Sequence, residues 1–434
     1  MLHFLQSSVN YNFQFDSRKC NENSIFFALE TGNRSGTDFA HDAIKNGVKV
    51  VISQKGIDGM NSINIDNFHE IIPNLNIVVP DVLFFMQELA KQKFLLLKNK
   101  GIKTICLTGS VGKTTTKELI ASTLAGYGKI YATQGNYNNH IGVPLTILNA
   151  PTEIDFLVLE MGMNHEGEIS TLASIAPCEF SLITNIKENH AGNFSNGISG
   201  VRRAKFEILE TYGKCFILKE FFEEFTKDEL LMQKYGTKNL VCIDVQVKDF
   251  HSQNNQTSFV FENRTFCLNE IYSNAQIQMF CLAIKLMDTV LAKKISKIVL
   301  PQIKGRGNIV NWHGIRVVNE SYNASPASMK NALENFKKLE GRKLCILGEM
   351  RELGDMSLEF HKNLKPYLQN FDGMILVGKN FESIDIFSVK HFENYASCLE
   401  FLKSNIPMLK EYDNILVKAS NGVLLWKLFD EFFI

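Results

Sequence analysis

The residues best suited to chemistry are 109–114, Gly-Ser-Val-Gly-Lys-Thr, between the apolar run 104–107 and a helix expected over 114–124. A strand, a glycine turn and a helix in that order aim backbone N–H groups and a helix N-terminus at phosphate. Gly109, Ser110, Val111 and Gly112 form the cradle. Lys113 adds positive charge, and Thr114, followed by Thr115, adds a metal-binding hydroxyl. ATP with Mg2+ is the expected ligand. The loop is a shortened variant, because the usual phosphate-loop pattern has a glycine five places before Gly112, where Leu107 stands.

Glu160 ends an apolar strand expected at 156–160, and the carboxyl edge of a parallel sheet is where ligand-binding groups gather. It reads as a Mg2+ ligand, the alternative being a solvated strand end. A polar glycine loop with Asn164 continues from it through 161–168. Asn136, Asn138 and Asn139 form an amide cluster that suits either turn formation or ligand binding. On residue chemistry alone, His190 reads as a surface-loop histidine and Lys205 as a solvated lysine on a helix face, paired with nearby acids.

These groups must be positioned by repeated strand and helix. Short apolar strands and a helix at 38–45 form a small α/β unit, closed by a strand at 77–80 and a helix that Asp81 caps. A boundary follows near 98–102. Strands at 104–107, 156–160 and 180–184 alternate with helices near 168–176 and 200–210, which implies a parallel sheet. After a helix at 281–294, a second alternation begins near Gly307. It has helices at 327–339 and 359–368, strands at 344–347, 374–377 and 415–418, and a last helix at 423–432. The fold class is therefore α/β in three domains: 1–98 for substrate, a central parallel-sheet ATP-binding domain at 99–306, and a Rossmann-like domain at 307–434.

Three domains agree with a length beyond one hydrophobic core. The 46 basic and 46 acidic residues balance, which removes the electrostatic reason to expect nucleic acid or an anionic membrane as partner. Nine scattered cysteines without CxxC spacing read as small buried hydrophobes in a reducing compartment. With no basic segment leading into a long apolar core at the start and no apolar run of membrane-spanning length, a cytoplasmic monomer is expected.

Taken together, the segments resemble the Mur ligase family, most closely its D-alanyl-D-alanine-adding branch. The resemblance rests on 108–117, 135–144, Glu160-Met161-Gly162 with 167–169, Thr184-Asn185-Ile186 with His190, and Ala204-Lys205. It continues through Gly305-Arg306-Gly307, 320–329, and 347–354 with His361. It implies an amide ligase that joins D-alanyl-D-alanine to UDP-N-acetylmuramoyl-tripeptide in peptidoglycan precursor synthesis, and so serves cell shape and division. It also implies roles. Ser17 and Arg18 would contact the uridine nucleotide, and Asn136, Asn138, Asn139, Asn164, Tyr322 and Asn323 would serve the substrates. Lys113 and Arg306 would reach phosphate, Asn274 the adenine side and Glu320 the ribose. Thr114 and Glu160 would hold a first Mg2+ and His190 a second. Lys205 would be carbamylated, exchanging a cation for a carboxylate-like group near the metal. Lys113, His190, Lys205 and Arg306 are thus the implied catalytic set.

Three departures from the family pattern stand out. Leu268-Asn269-Glu270 replaces Gly-x-His before Asn274, Glu320 replaces an aspartate, and Lys418-Ala419-Ser420-Asn421 replaces Lys-Gly-Ser-Arg. The rival readings are a related ligase adding a single amino acid and a P-loop phosphotransferase acting on a hydroxyl. A nucleotide switch is disfavoured, since no Asn-Lys-x-Asp or Asp-x-x-Gly follows the phosphate loop.

Overall fold

The structure, a computed structural model, describes the chain apart from residues 31–34, 188–193, 195, 254–255, 270, 302, 352, 370 and 383–388. Near-continuous apolar runs make buried parallel strands, because a parallel sheet is covered on both faces. The first sheet holds β1 (Asn12–Gln14), β2 (Ser24–Phe27), β3 (Val50–Ser53), β4 (Asn61–Asn64) and β5 (Leu75–Val78), all parallel, in the order β1-β2-β3-β5-β4. Asp81 then caps the helix Val82–Asn99 by accepting from the Phe84 N–H at 2.8 Å.

The second sheet holds β6 (Lys103–Thr108), β7 (Ile130–Ala132), β8 (Phe156–Glu160), β9 (Phe180–Ile183), β10 (Lys214–Leu218) and β11 (Leu240–Ile243). Its order is β11-β10-β9-β6-β8-β7, again all parallel. β6 lies between β8 and β9, so the phosphate loop at its end opens between Glu160 and the segment after β9. One face of the first sheet shares a continuous apolar core with the second sheet, while its other face packs with Ala40 and Ala43 of the helix Gly36–Lys45 in a separate cluster.

A small antiparallel sheet of β12 (Val247–Gln253), β13 (Gln256–Phe261) and β14 (Arg264–Leu268) follows. The last sheet holds β15 (Asn308–Trp312), β16 (Ile315–Glu320), β17 (Lys343–Gly348), β18 (Gly373–Val377), β19 (Val389–Phe392) and β20 (Asn414–Lys418). Its order is β15-β16-β20-β17-β18-β19, with only β15 antiparallel to its neighbour. Alternate residues of β17 serve opposite faces, Leu344 and Ile346 in one apolar cluster and Cys345 and Leu347 in the other.

Several elements differ from the sequence expectation. The helix expected at 281–294 runs Asn274–Leu291, started early by a reciprocal capping box between Ser273 and Gln276. The expected helix at 423–432 is two short 3-10 turns and a single helical turn, broken at Leu424, whose φ of 69° is left-handed. The segment expected as one helix at 359–368 is two, Ser357–Lys362 and Lys365–Leu368. Cys242 and Cys267 are exposed rather than buried, on the edge strand β11 and on an outward position of β14. Among the described residues no helix is long and apolar enough to cross a membrane.

Candidate functional site

Two glycines make the phosphate loop possible. Gly109 has φ 152°, and a Cβ there would overlap the Thr184 hydroxyl; Gly112 has φ 79° and starts the helix Lys113–Leu124. The loop is fastened to the segment after β9. The Thr184 hydroxyl and the Asn185 amide both donate to the Val111 carbonyl, at 2.8 and 2.9 Å, and Asn185 Oδ1 accepts from the Val111 N–H at 2.9 Å. The Ser110 hydroxyl donates to the Lys187 carbonyl at 3.0 Å. Asn185 was quoted in the sequence only as part of a motif; its fastening role needs the adjacency of β6 and β9.

Glu160 is 1 % exposed and held on both oxygens, by the Thr114 hydroxyl and by Asn138 Nδ2, each at 2.8 Å. Its backbone N–H donates to the Thr133 hydroxyl at 3.0 Å, and the Thr133 carbonyl accepts from the buried Lys117 ammonium at 2.5 Å. Thr133 and Lys117 therefore fix the Glu160 backbone from behind, a role that nothing in their sequence spacing shows. A hydroxyl and a carboxylate side by side are hard oxygen donors of the kind Mg2+ takes alongside substrate phosphates. Among the described residues no three His, Cys, Asp or Glu side chains cluster to hold a metal by themselves.

Lys113 donates to the Gly109 carbonyl at 2.8 Å. Burial pushes its ammonium pKa down, with Glu160 opposing and Arg306 adding to the shift. Lys205, expected on a solvated face, is instead 1 % exposed on the helix Gly197–Phe206. Burial first, and Lys113 second, drive its pKa well below the usual lysine range. A like charge and burial together disfavour the protonated form of Lys205.

The last sheet supplies the facing wall. The Arg306 guanidinium lies 4.0 Å from the centre of the Tyr322 ring, and its buried Nε has no hydrogen-bond partner among the described residues. The Lys418 ammonium donates to Glu320 at 3.3 Å and to the Asn323 carbonyl at 3.1 Å, while burial lowers its pKa. A cavity of about 710 Å³ lies between these groups and the phosphate loop. Ser110 through Thr115, Asn136, Asn138 and Glu160 line one side of it. Arg306, Glu320, Tyr322 and Asn323 line the other.

The remaining expected residues lie elsewhere. Asn274 is exposed on the first turn of its helix and outside the cavity wall, which Gln276 reaches instead. Asn139 shapes its own loop, accepting from the Ile141 and Gly142 N–H groups at 3.2 and 2.9 Å. The Asn164 N–H donates to Glu168 at 2.7 Å. Ser17 is buried and Arg18 exposed on the first unit, where Asp16 grips the Arg18 guanidinium at 2.8 and 2.9 Å and has its own pKa lowered by that bond. His190 lies outside the described residues.

Comparison with known proteins adds two matches to family descriptions. Residues 107–283 match the Mur ligase middle domain, and residues 305–421 match the Mur ligase, glutamate ligase domain. A UDP-N-acetylmuramoyl-tripeptide--D-alanyl-D-alanine ligase of Bacillus subtilis is 31 % identical over 97 % of this chain and 92 % of its own. The enzyme so named from Rickettsia prowazekii is 31 % identical over 98 % and 96 %. Among solved structures, MurF from Acinetobacter baumannii superposes with a TM-score of 0.82 at 24 % identity, covering 99 % of this chain and 97 % of that one. MurF ligase from Thermotoga maritima in complex with ADP gives 0.79 at 24 %, covering 98 % of each. At these identities the structural likeness speaks for the fold.

Proposed function

Because this chain belongs to the Mur ligase family, we propose that it is the ATP-dependent ligase that joins D-alanyl-D-alanine to UDP-N-acetylmuramoyl-tripeptide. The observation that carries this reading is near full-length agreement with relatives of that activity. The reaction begins when the tripeptide carboxylate attacks the γ-phosphorus of ATP, displacing ADP and forming an acyl phosphate. The amine of the dipeptide then attacks the activated carbonyl, loses a proton, and expels inorganic phosphate as the amide forms.

Two anions must meet in the first step, and the chain supplies cations for them. Lys113 neutralises the phosphates from the loop, and Arg306 approaches from the facing wall. Thr114 and Glu160 are the residues that would hold Mg2+, which supplies charge neutralisation to the transferred phosphoryl group. Glu320, with Lys418 behind it, faces the ribose. His190 is assigned to the second metal and Asn274 to the adenine side by family likeness. Closure of the cavity walls keeps water from the acyl phosphate.

The finer assignments belong to the same reading. Residues 1–98, with Ser17 and Arg18, hold the UDP-sugar; 99–306 bind ATP; 307–434 form the closing domain. Carbamylation of Lys205 is supported by its burial, which favours the neutral amine that carbon dioxide requires, and by the relief a carbamate would give beside Lys113. A carbamate carbon signal after labelling with 13C-bicarbonate, lost in Lys205→Arg, tests it. We place the reaction in the cytoplasm, where ATP and UDP-linked precursors occur together.

The decisive experiment measures phosphate release and product mass with UDP-N-acetylmuramoyl-tripeptide while the acceptor is varied. D-alanyl-D-alanine should stimulate release and appear in a pentapeptide product. Stimulation by a single amino acid alone would overturn the assignment.

A further inference from the structure

Five basic side chains line the described cavity wall: Lys113, Arg306, Arg316, Arg351 and Lys418. Three lie near the nucleotide end. Lys113 belongs to the phosphate loop, Arg306 is close enough to shift its pKa, and Lys418 is bonded to Glu320. Arg316 lies four residues before Glu320 on β16, about 13 Å back from the carboxyl edge. Arg351 remains, and no nucleotide role falls to it.

Its position is built. In register, Glu320 of β16, Lys418 of β20 and Leu347 of β17 lie abreast. The loop after β17 therefore leaves the sheet roughly 10 Å from Glu320, two strand spacings away. That loop is clasped from both sides. The Met350 N–H donates to His361 Nε2 at 2.9 Å, and the Arg351 N–H donates to the Ser420 hydroxyl at 2.9 Å. The guanidinium rests against Gly422, where a Cβ would overlap Nη1. Its one ion contact among the described residues is a long one, 3.5 Å from Nε to Glu349, and its side chain, 52 % exposed, lines the cavity.

We propose that Arg351 binds the free carboxylate of the acceptor dipeptide. This inference rests on the ligase reading above and deepens it. The acceptor brings an amine, which must be directed at the acyl phosphate, and a carboxylate, which needs a cation once it leaves water. An extended dipeptide spans about 7 Å. A carboxylate anchored on Arg351 therefore turns the amine inward, toward the phosphate end. Arg351 selects acceptors that end in a carboxylate at dipeptide length, and Ser420 and Gly422 set the direction of its fork.

The test compares D-alanyl-D-alanine with its C-terminal amide in the wild-type enzyme, Arg351→Gln and Gly422→Ala. The wild type should favour the acid by about 10- to 100-fold in kcat/KM, the worth of a charge-assisted hydrogen bond. In Arg351→Gln the KM for the dipeptide should rise by a similar factor and the preference for acid over amide should fall to near 1. The KM values for ATP and the UDP-tripeptide should stay within about twofold. Gly422→Ala, which pushes the guanidinium aside while keeping its charge, should give the same pattern. If Arg351→Gln keeps the wild-type preference, or loses ATP affinity instead, the inference is wrong while the ligase reading stands. If the wild type makes no pentapeptide product, the ligase reading itself fails.

Discussion

The Lys19 ammonium donates to the Tyr137 hydroxyl at 2.7 Å and lies 5.2 Å from the centre of that ring. Phe15 meets the same ring edge-on at 5.9 Å. The residue that follows Tyr137 serves the site, because Asn138 holds Glu160. On the proposed reading, which puts the UDP-substrate on residues 1–98, this contact would keep that substrate in register with the phosphate loop. Tyr137→Phe keeps the ring and removes one hydrogen bond, worth about 1 kcal/mol. The KM for the UDP-tripeptide should rise several-fold with ATP affinity unchanged, and identical KM values would refute the coupling.

Lys113→Ala and Lys205→Ala should each reduce turnover by about 10³-fold or more, the first by removing a cation where phosphate charge develops and the second by removing the carbamate proposed to help position the metal. Single-turnover assays under saturating ATP separate this loss from weaker nucleotide binding. Near wild-type turnover by either purified variant would remove that lysine from the catalytic set.

Lys117 touches no expected ligand, yet it anchors Thr133, which holds the backbone of Glu160. Lys117→Met keeps the stem and deletes the ammonium. The Mg2+ concentration for half-maximal activity should rise about tenfold, as for lost outer-sphere support. Thermal stabilisation by Mg2+ with a non-hydrolysable ATP analogue should weaken in parallel. An unmoved Mg2+ midpoint in both measurements would show that Glu160 holds its place unaided.

His361 is fully buried, accepts from the Met350 N–H, and has its pKa pushed below the usual 6.5, mainly by burial. Below pH 6.5 the unfolded chain binds a proton there that the folded chain resists. Stability from this group is therefore full above that pH and is lost as pH falls through the lower folded value. Thermal unfolding scanned from about pH 8 to about pH 5 should show this slope, and His361→Gln should flatten it. A slope identical in the variant would assign it to other groups.

The phosphate loop was legible because its signal is local: apolar strand, glycines, Lys113, Thr114 and helix follow one another within a few residues. Glu160 was legible because a strand end is a topological statement about a parallel sheet. Lys205 was not, since its helix shows Arg202, Arg203 and Lys205 alike, and only packing decides which is buried. Thr133, Asn185 and Lys117 were missed for a related reason. Their contacts join segments that are neighbours in space but 16, 27 and 74 residues apart in the chain. The helix expected at 423–432 failed on backbone conformation, at Leu424, which no apolar pattern reveals.

The cavity walls come from two different sheets, so a seated nucleotide is also mortar between them. At a hundredfold excess over its dissociation constant, such a ligand adds about 2.7 kcal/mol to the stability of the folded chain. The stability of the folded chain is then tied to nucleotide concentration, rising as ATP binds and falling as it leaves.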